Sequence, residues 1–203
     1  MKSPQILFIT GTDTGVGKTV FAALSTVYLR QNGFRVAALK PLCSGGRDDA
    51  RVLLAAAGNV LSLDEVNPWS FRAPLAPVLA ARKEKKRVQL REVVAHIRHI
   101  AKRFEVMVVE GAGGLLSPLG EDFDSRDLIQ ALGATPIIVC PNKLGAVNQV
   151  RLVLEALPHA TKRNARVVLV NPKKPDAASR TNLKLLREFV ELKRVRVIPW
   201  IKG

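Results

Sequence analysis

The segment Gly11-Thr12-Asp13-Thr14-Gly15-Val16-Gly17-Lys18-Thr19 stands directly behind the apolar run Ile6-Leu7-Phe8-Ile9. Glycines let backbone amides turn inward around phosphate oxygens, and a following helix presents its positively polarised N-terminus. Lys18 can then reach the β- and γ-phosphates, while Thr19 offers its hydroxyl to Mg²⁺. The first glycine comes one residue earlier than in the common phosphate-binding loop (P-loop), so this loop is one residue longer. We predict a nucleoside triphosphate site formed by Asp13, Thr14, Gly15, Val16, Gly17, Lys18, Thr19 and Val20.

The length and composition of the chain are typical of a globular protein with one core. It has 203 residues, 47% of them hydrophobic, and no glycine-, proline- or serine-rich linker divides it, so we predict a single domain over residues 1–203. No apolar run approaches the roughly 20 residues that span a bilayer, and no signal-like segment follows Met1, so we expect no membrane association and a cytoplasmic location. Trp69 and Trp200 are interpreted as core residues, with a place in a pocket wall as the alternative.

The net charge of +15 is concentrated in two segments, residues 82–103 and 151–203, which carry the entire excess of basic residues. Such clusters can bind nucleic acid or an anionic surface, but a solvated basic surface explains them equally well. No helix-turn-helix pattern, aromatic RNA motif or zinc module accompanies the charge. We therefore expect no nucleic-acid partner, and only salt-sensitive adhesion to polyanions from the charge itself.

Apolar runs alternate with helical patterns along the chain. The predicted strands are Gln5–Ile9, Arg35–Lys40, Glu105–Glu110, Thr135–Cys140, Arg166–Asn171 and Val195–Pro199. The predicted helices are Lys18–Asn32, Asp48–Ala57, Leu90–Arg103, Ser125–Leu132, Val147–Leu157 and Ala177–Leu192. This alternation predicts an α/β fold, a single P-loop NTPase-like domain with a mostly parallel sheet and helices on both faces. Ligands then collect at the carboxyl ends of the strands.

Two segments rich in polar side chains and glycine follow predicted strands. Lys40-Pro41-Leu42-Cys43-Ser44-Gly45-Gly46 follows the second strand, and Glu110-Gly111-Ala112-Gly113-Gly114 follows the third. Because these strand ends share one edge of a parallel sheet, we expect a lysine, a serine, a carboxylate and a second glycine loop to face the P-loop.

Two carboxylates are candidate ligands of Mg²⁺. Asp49 lies at the start of a predicted helix, and Glu110 is followed by small residues that would leave its carboxylate open to a metal ion and phosphate. Together with the hydroxyl of Thr19, they supply the oxygen ligands that Mg²⁺ prefers. We therefore predict a metal site formed by Thr19, Asp49 and Glu110.

These segments resemble one protein family, dethiobiotin synthetase. The resemblance rests on GTDTGVGKT at 11–19, KPLCSGG at 40–46, VNPWSFRAPLAP at 66–77, VEGAGGLLSPL at 109–119, NKLGAVNQ at 142–149 and IPW at 198–200. They occur in family order across nearly the whole chain. The resemblance implies a cyclo-ligase of biotin synthesis that uses ATP and Mg²⁺ to convert 7,8-diaminononanoate and CO2 into dethiobiotin, and that works as a homodimer.

The resemblance also implies roles for particular residues. Catalysis would rest on Lys18, Lys40 and Ser44, with the last two meeting the carbamate and the phosphate being transferred. The diamine's reacting end would lie against Gly111, Ala112 and Gly113. Its distal carboxylate would lie against Leu144, Gly145 and Asn148, within one chain or across the dimer interface. The nucleobase would lie beside Asn171 and Pro199.

Three other classes of protein share parts of this pattern. ATP-switched proteins of the ParA and MinD kind carry a lysine early in the P-loop, where this chain has Asp13. Amidoligases of the cobyrinate type usually carry a glutaminase domain, for which 203 residues leave no room. A relative acting on another amine or carboxylate, or one without catalysis, remains as an alternative.

Overall fold

The computed structural model describes residues 3–191 and 194–200. In this part of the chain, six strands form one parallel sheet in the order β2-β5-β1-β6-β7-β8, and two further strands, β3 and β4, form a small parallel pair. The strands are β1 (Gln5–Gly11), β2 (Val36–Leu39), β3 (Leu42–Ser44), β4 (Trp69–Phe71), β5 (Val106–Glu110), β6 (Thr135–Pro141), β7 (Arg166–Val170) and β8 (Val195–Ile198).

Helices cover both faces of the large sheet. The described helices are α1 (Lys18–Gln31), α2 (Asp48–Ala56), α3 (Leu63–Val66), α4 (Pro77–Lys83), α5 (Leu90–Ala101), α6 (Ser125–Leu132), α7 (Ala146–Ala156), α8 (His159–Lys162) and α9 (Ala177–Leu186). Neighbouring residues of β1 face opposite cores: Phe8 packs into the larger core with α5, α6 and α7, and Ile9 into the smaller one with α1. Both side chains are fully buried, as expected of a central parallel strand.

The predicted fold class is confirmed, and all six predicted strands are present with ends within two residues of the prediction. The helix predicted over Ala177–Leu192 ends at Leu186, and Leu192 itself lies outside the described residues. The second strand stops at Leu39 instead of Lys40 because the Lys40 amide donates to the carbonyl of Val66 and leaves the sheet.

The sequence patterns missed β3, β4 and the short helices α3, α4 and α8. The two small strands have three residues each and pair across a long insertion, with Leu42 opposite Trp69 and Ser44 opposite Phe71. No local periodicity can reveal a pair this short. The strands matter because they carry the segment after Lys40 across the carboxyl edge of the large sheet.

Among the described residues, no helix combines the length and the apolar character needed to cross a bilayer. The carboxyl ends of the strands lie at one edge of the sheet, where the P-loop follows β1 and Glu110 ends β5. Asn142 follows β6 and Asn171 follows β7 at the same edge. This edge therefore brings the polar segments of the chain together.

Candidate active site

The P-loop joins the end of β1 to the start of α1. Gly17 caps α1 in the left-handed conformation (φ 95°), and no side chain in the described part of the protein caps this end of the helix. At Gly11, an added Cβ would lie 2.6 Å from Val16 Cγ2 and 3.2 Å from the Val139 carbonyl oxygen, so glycine is required for the close approach of the loop to β6. An uncapped N-terminus of a 14-residue helix is suited to bind an anion.

The Lys18 side chain is buried at the base of the loop. Its Nζ donates a hydrogen bond of 2.7 Å to the Asp13 carbonyl oxygen. Burial, and then the positive charge of Lys40, lower the pKa of the Lys18 ammonium to about 8. A bound polyphosphate would supply the negative charge that this buried cation lacks.

Lys40, Glu110, Asp49 and Thr19 form a polar cluster beside the loop. The Lys40 ammonium contacts Glu110 Oε1 directly, donates to the Gly111 carbonyl at 3.1 Å and lies 3.2 Å from Asp49 Oδ2. Burial lowers the pKa of Lys40, but the charges of Glu110 and Asp49 outweigh it, so the pKa is raised above its ordinary value. Lys40 is therefore a permanent cation at neutral pH.

The residues predicted to bind Mg²⁺ lie together and fit such an ion. Thr19 Oγ1 donates to Glu110 Oε1 at 2.8 Å, and the second oxygen of Glu110, Oε2, is buried and has no hydrogen-bond partner among the described residues. Asp49 is half-exposed beside them. In the described part of the chain, no group of three or more His, Cys, Asp or Glu could hold a metal. Two carboxylates and a hydroxyl suit Mg²⁺, which usually completes its shell with water and substrate phosphates.

A cleft of about 820 Å³ opens over this cluster. The Ser44 hydroxyl at its wall donates to the Leu75 carbonyl at 2.5 Å, so its lone pairs are left to accept a hydrogen bond. Of the predicted site residues, the cleft brings together Thr14, Gly15, Gly17, Lys18, Thr19, Val20, Lys40, Ser44, Asp49, Glu110, Ala112 and Gly113.

A second cleft of about 370 Å³ lies on the other side of the P-loop, with Gly15, Gly17 and Val20 shared between the two. Asn171 lines it, as does Val16. Trp200 also lines this cleft and is 43% exposed, so its interpretation as a core residue was wrong. Trp200 is the last described residue, and its apolar character alone does not separate a core residue from a pocket wall.

The remaining predicted site residues line neither cleft. They are Asp13, Gly111, Leu144, Gly145, Asn148 and Pro199. Asp13 and Gly111 nevertheless touch the cluster through their carbonyl oxygens, which accept from Lys18 and Lys40. Gly145 caps α7, with the side chains of Leu144 and Asn148 exposed to solvent beside it. Pro199 lies between Ile198 and Trp200, which both line the second cleft.

Residues that the motif analysis missed hold Lys40 in place. Asn67 is buried, and its Nδ2 donates to the carbonyl oxygens of Lys40 and Pro41. Arg47 in turn donates to Asn67 Oδ1 at 3.1 Å. Sequence reasoning could not find these residues because their partners lie about 20 residues or more away along the chain.

The far wall of the large cleft was missed as well. It is formed by Pro74, Leu75 and Ala76, which precede α4, and by Pro77, the first residue of that helix. Cys43 lines the same cleft, but burial raises the pKa of its thiol to about 11, so the group stays neutral. The cleft therefore offers the ammonium groups of Lys18 and Lys40 to phosphate and the carboxylates of Asp49 and Glu110 to a metal ion, and its thiol is no nucleophile at neutral pH.

The chain has relatives among known proteins over nearly its whole length. A family described as "AAA domain" matches residues 5–203. The chain is 39% identical to the ATP-dependent dethiobiotin synthetase BioD of Anaeromyxobacter dehalogenans (strain 2CP-C), over 96% of this chain and 89% of the relative. It is 33% identical to the protein of the same name from Bacillus subtilis (strain 168), over 95% of this chain and 86% of the relative.

Solved structures with the same fold are more distant in sequence. A ParA family ATPase from Chlorobium tepidum TLS has a TM-score of 0.60 at 14% identity, covering 98% of this chain and 85% of that one. The MinD cell division protein of Aquifex aeolicus has a TM-score of 0.60 at 16% identity, covering 96% of this chain and 81% of that one. At these identities the likeness concerns the fold alone.

Proposed function

Because the chain belongs to the ATP-dependent dethiobiotin synthetase family, we propose that it converts 7,8-diaminononanoate, CO2 and ATP into dethiobiotin, ADP and phosphate. The observation that carries the proposal is one cleft that joins the P-loop lysine Lys18, a second buried lysine, Lys40, and the carboxylates Asp49 and Glu110. Two cations around a phosphate site suit a reaction between two anions.

The proposed reaction has three steps. One amine of the substrate adds to CO2 and loses a proton, which gives a carbamate anion. A carbamate oxygen then attacks the γ-phosphorus of ATP, and ADP leaves as the new oxygen–phosphorus bond forms. The second amine attacks the activated carbonyl carbon and expels phosphate, which closes the ureido ring.

Lys18 and Lys40 would overcome the repulsion between carbamate and triphosphate. The raised pKa of Lys40 makes it unsuited to remove a proton from the amine, so its role would be electrostatic. When ATP binds, the Lys18 ammonium would release its hydrogen bond to the Asp13 carbonyl and donate to the β- and γ-phosphates instead. Fixed charges in a partly buried cleft stabilise developing charge without reorganisation, and in phosphoryl transfer this effect usually contributes more to the rate than any other.

Thr19, Asp49 and Glu110 would hold Mg²⁺, and the unpartnered Oε2 of Glu110 supports this assignment. When bound, the ion would add positive charge beside the phosphates and the leaving group. Glu110 also orients Thr19 and Lys40 through its other oxygen, so this one carboxylate would connect metal binding to the position of the catalytic lysine.

Ser44 and the segment Gly111–Gly113 would hold the reacting end of the diamine. Since the Ser44 proton is engaged by Leu75, the hydroxyl can accept an N–H of the substrate amine. Ala112 and Gly113 line the same cleft as Lys40. The amine would thus meet the Ser44 oxygen as a hydrogen-bond acceptor on one side, and the substrate carbamate held by the charge of Lys40 on the other.

The N-terminus of α7 would bind the distal carboxylate through Leu144, Gly145 and Asn148. The helix has 11 residues, is capped by Gly145 without a side-chain hydrogen bond and has no acidic residue in its first turn. Because this end lines neither cleft of its own chain, we propose that the protein is a homodimer in which α7 of one copy faces the substrate cleft of the other.

The nucleobase would occupy the second cleft, beside Asn171 and Pro199. This cleft adjoins the P-loop through Gly15 and Gly17, so one nucleotide can extend from it to Lys18. Trp200 supplies an exposed aromatic ring at the same cleft. A role as a ParA- or MinD-like switch has less support, since it rests on the fold alone and Asp13 replaces the lysine of that class.

The test is phosphate release from MgATP in bicarbonate buffer, with and without 7,8-diaminononanoate, followed by mass analysis of the product. We expect release that depends on the diamine and a product with the mass of dethiobiotin. The Lys40→Met variant, matched in length but uncharged, should bind ADP and release little phosphate. Nucleotide binding by the wild type without diamine-dependent release would overturn the proposed function and leave the P-loop assignment in place.

A further inference from the structure

Three asparagine side chains connect α9 to the edge of the second cleft. Asn182 Nδ2 donates to Asn142 Oδ1 at 2.9 Å, and Asn142 Nδ2 donates to Asn171 Oδ1 at 2.7 Å. Asn142 and Asn182 are almost completely buried, whereas Asn171 is partly exposed and lines the cleft. The chain of hydrogen bonds therefore runs from the interior to the surface of the proposed nucleobase pocket.

Backbone carbonyls fix the direction of these hydrogen bonds. Asn142 Nδ2 donates to the Ser179 carbonyl at 2.8 Å, and Asn182 Nδ2 donates to the Lys143 carbonyl at 2.8 Å. A carbonyl oxygen can only accept, so neither amide can rotate by 180° without placing two oxygens against each other. Asn142 must then present an N–H to Asn171, whose oxygen turns inward to accept it.

This arrangement determines what Asn171 offers to a ligand. Its Nδ2, which has no hydrogen-bond partner among the described residues, is the group left to donate into the cleft. Its Oδ1 keeps a second lone pair beside the bond from Asn142. An asparagine amide pairs with adenine through a donor to N7 and an acceptor for the 6-amino group. A 6-oxopurine would place its oxygen against Oδ1 instead.

We infer that Asn142 is a positioning residue that holds the Asn171 amide in the orientation that accepts a 6-aminopurine and rejects a 6-oxopurine. The inference rests on the proposed nucleotide site. It assigns base selectivity to a buried residue, Asn142, that lines the same cleft and donates to Asn171, the group that would meet the base.

The test compares the dissociation constants of ADP and IDP, which differ at the 6-position of the purine, by calorimetry. The wild type should bind ADP at least about tenfold more tightly, as expected for one bidentate pair. Asn142→Leu, of similar size but without donors, should reduce this ratio to that of Asn171→Ala. Combining the two substitutions should reduce it no further, because both act through the same amide.

Asn182→Leu is the matched control. It also removes hydrogen bonds of a buried side-chain amide, but it leaves Asn142 donating to Ser179 and Asn171. It should keep the wild-type ratio. If thermal unfolding shows that the Asn142→Leu variant does not fold, Asn142→Asp is used in its place. Aspartate keeps the shape of the side chain and removes the amide donors. A wild-type ratio in the folded Asn142 variant, or no preference in the wild type, would overturn the inference. Neither measurement requires the diamine, so failure of the proposed function is detected separately by the phosphate assay.

Discussion

At the scale of single residues, the charge state of Lys18 gives a prediction about pH. In the protein without nucleotide, burial and the positive charge of Lys40 lower the pKa of the Lys18 ammonium to about 8. Bound phosphates favour the charged form and raise that pKa, so binding takes up a proton once the pH exceeds about 8. ADP affinity should therefore fall as pH rises above about 8, approaching a limit of about tenfold per pH unit.

Calorimetry of ADP binding between about pH 7 and 10 measures this dependence. Lys18→Arg provides the comparison, because arginine keeps its charge throughout that range. The arginine variant should bind ADP with an affinity that is nearly independent of pH. A flat profile for the wild type would contradict either the lowered pKa of Lys18 or its contact with the phosphates.

Glu110 and Asp49 differ in burial, which separates their effects on stability from their effects on metal binding. Glu110→Gln leaves the buried charge of Lys40 without its closest partner, so the free energy of unfolding should fall by about 3 kcal/mol. The Asp49 side chain is 50% exposed, so Asp49→Asn should lower the free energy of unfolding by less than about 1 kcal/mol. Both variants should lose most of the strengthening of ATP binding by Mg²⁺.

Urea unfolding and ATP titrations with and without Mg²⁺ measure the two effects. Equal stability of the two variants would show that the Lys40–Glu110 pair does not behave as a buried ion pair. An undiminished effect of Mg²⁺ in both would exclude the proposed metal ligands.

Sequence motifs identified the residues whose chemistry is visible in their type and local spacing. Lys18, Thr19, Lys40 and Glu110 belong to this group, because a P-loop and a strand end place them before any tertiary contact is known. Asn142 does not, since its importance comes from partners in α9 and after β7. An asparagine in a loop carries no sign of such partners in the sequence.

At the scale of secondary structure, the left-handed conformation of Gly17 is required for the start of α1. An alanine there would meet nothing closer than 3.9 Å, so the cost lies in the backbone, at φ 95°. Gly33, after α1, has φ 83° with equally open surroundings. Alanine at either position should lower the free energy of unfolding by about 1–2 kcal/mol. Only Gly17→Ala should also weaken ADP binding, because it tilts the loop amides away from the phosphates.

Thermal unfolding and ADP titration of both variants measure this difference. A loss of ADP affinity in Gly33→Ala similar to that in Gly17→Ala would show that general destabilisation, and not loop geometry, controls nucleotide binding.

The elements that could be predicted are those with enough residues to show a period. β6 reads as a continuous apolar run, and the parallel sheet with helices on both faces follows from the alternation of strands and helices. β3 and β4 have three residues each, and what makes them strands is their pairing with each other. The wall of the large cleft at residues 74–77 is connected to this pair through the hydrogen bond from Ser44 to Leu75, so it could not be predicted either.

At the scale of the whole molecule, we expect the interface of the proposed dimer at the exposed apolar side chains on and beside α7. Leu152 is 62% exposed and lies four residues after Asn148, so the two share one helix face, and Leu144, 85% exposed, precedes Asn148 by four residues. We expect light scattering to give twice the chain mass of 22.1 kDa.

Leu152→Arg should weaken this dimer, because it places a charge in an apolar interface. Diamine-dependent turnover should then fall with dilution, whereas ADP affinity stays near that of the wild type, since both clefts that would hold the nucleotide are formed within one chain. Tyr28→Arg, at a residue 65% exposed on α1, is the control and should leave mass and turnover unchanged. If Leu152→Arg stays dimeric, or if Tyr28→Arg dissociates the protein equally, the α7 face is not the interface. Binding of the distal carboxylate across an α7 interface would then be excluded.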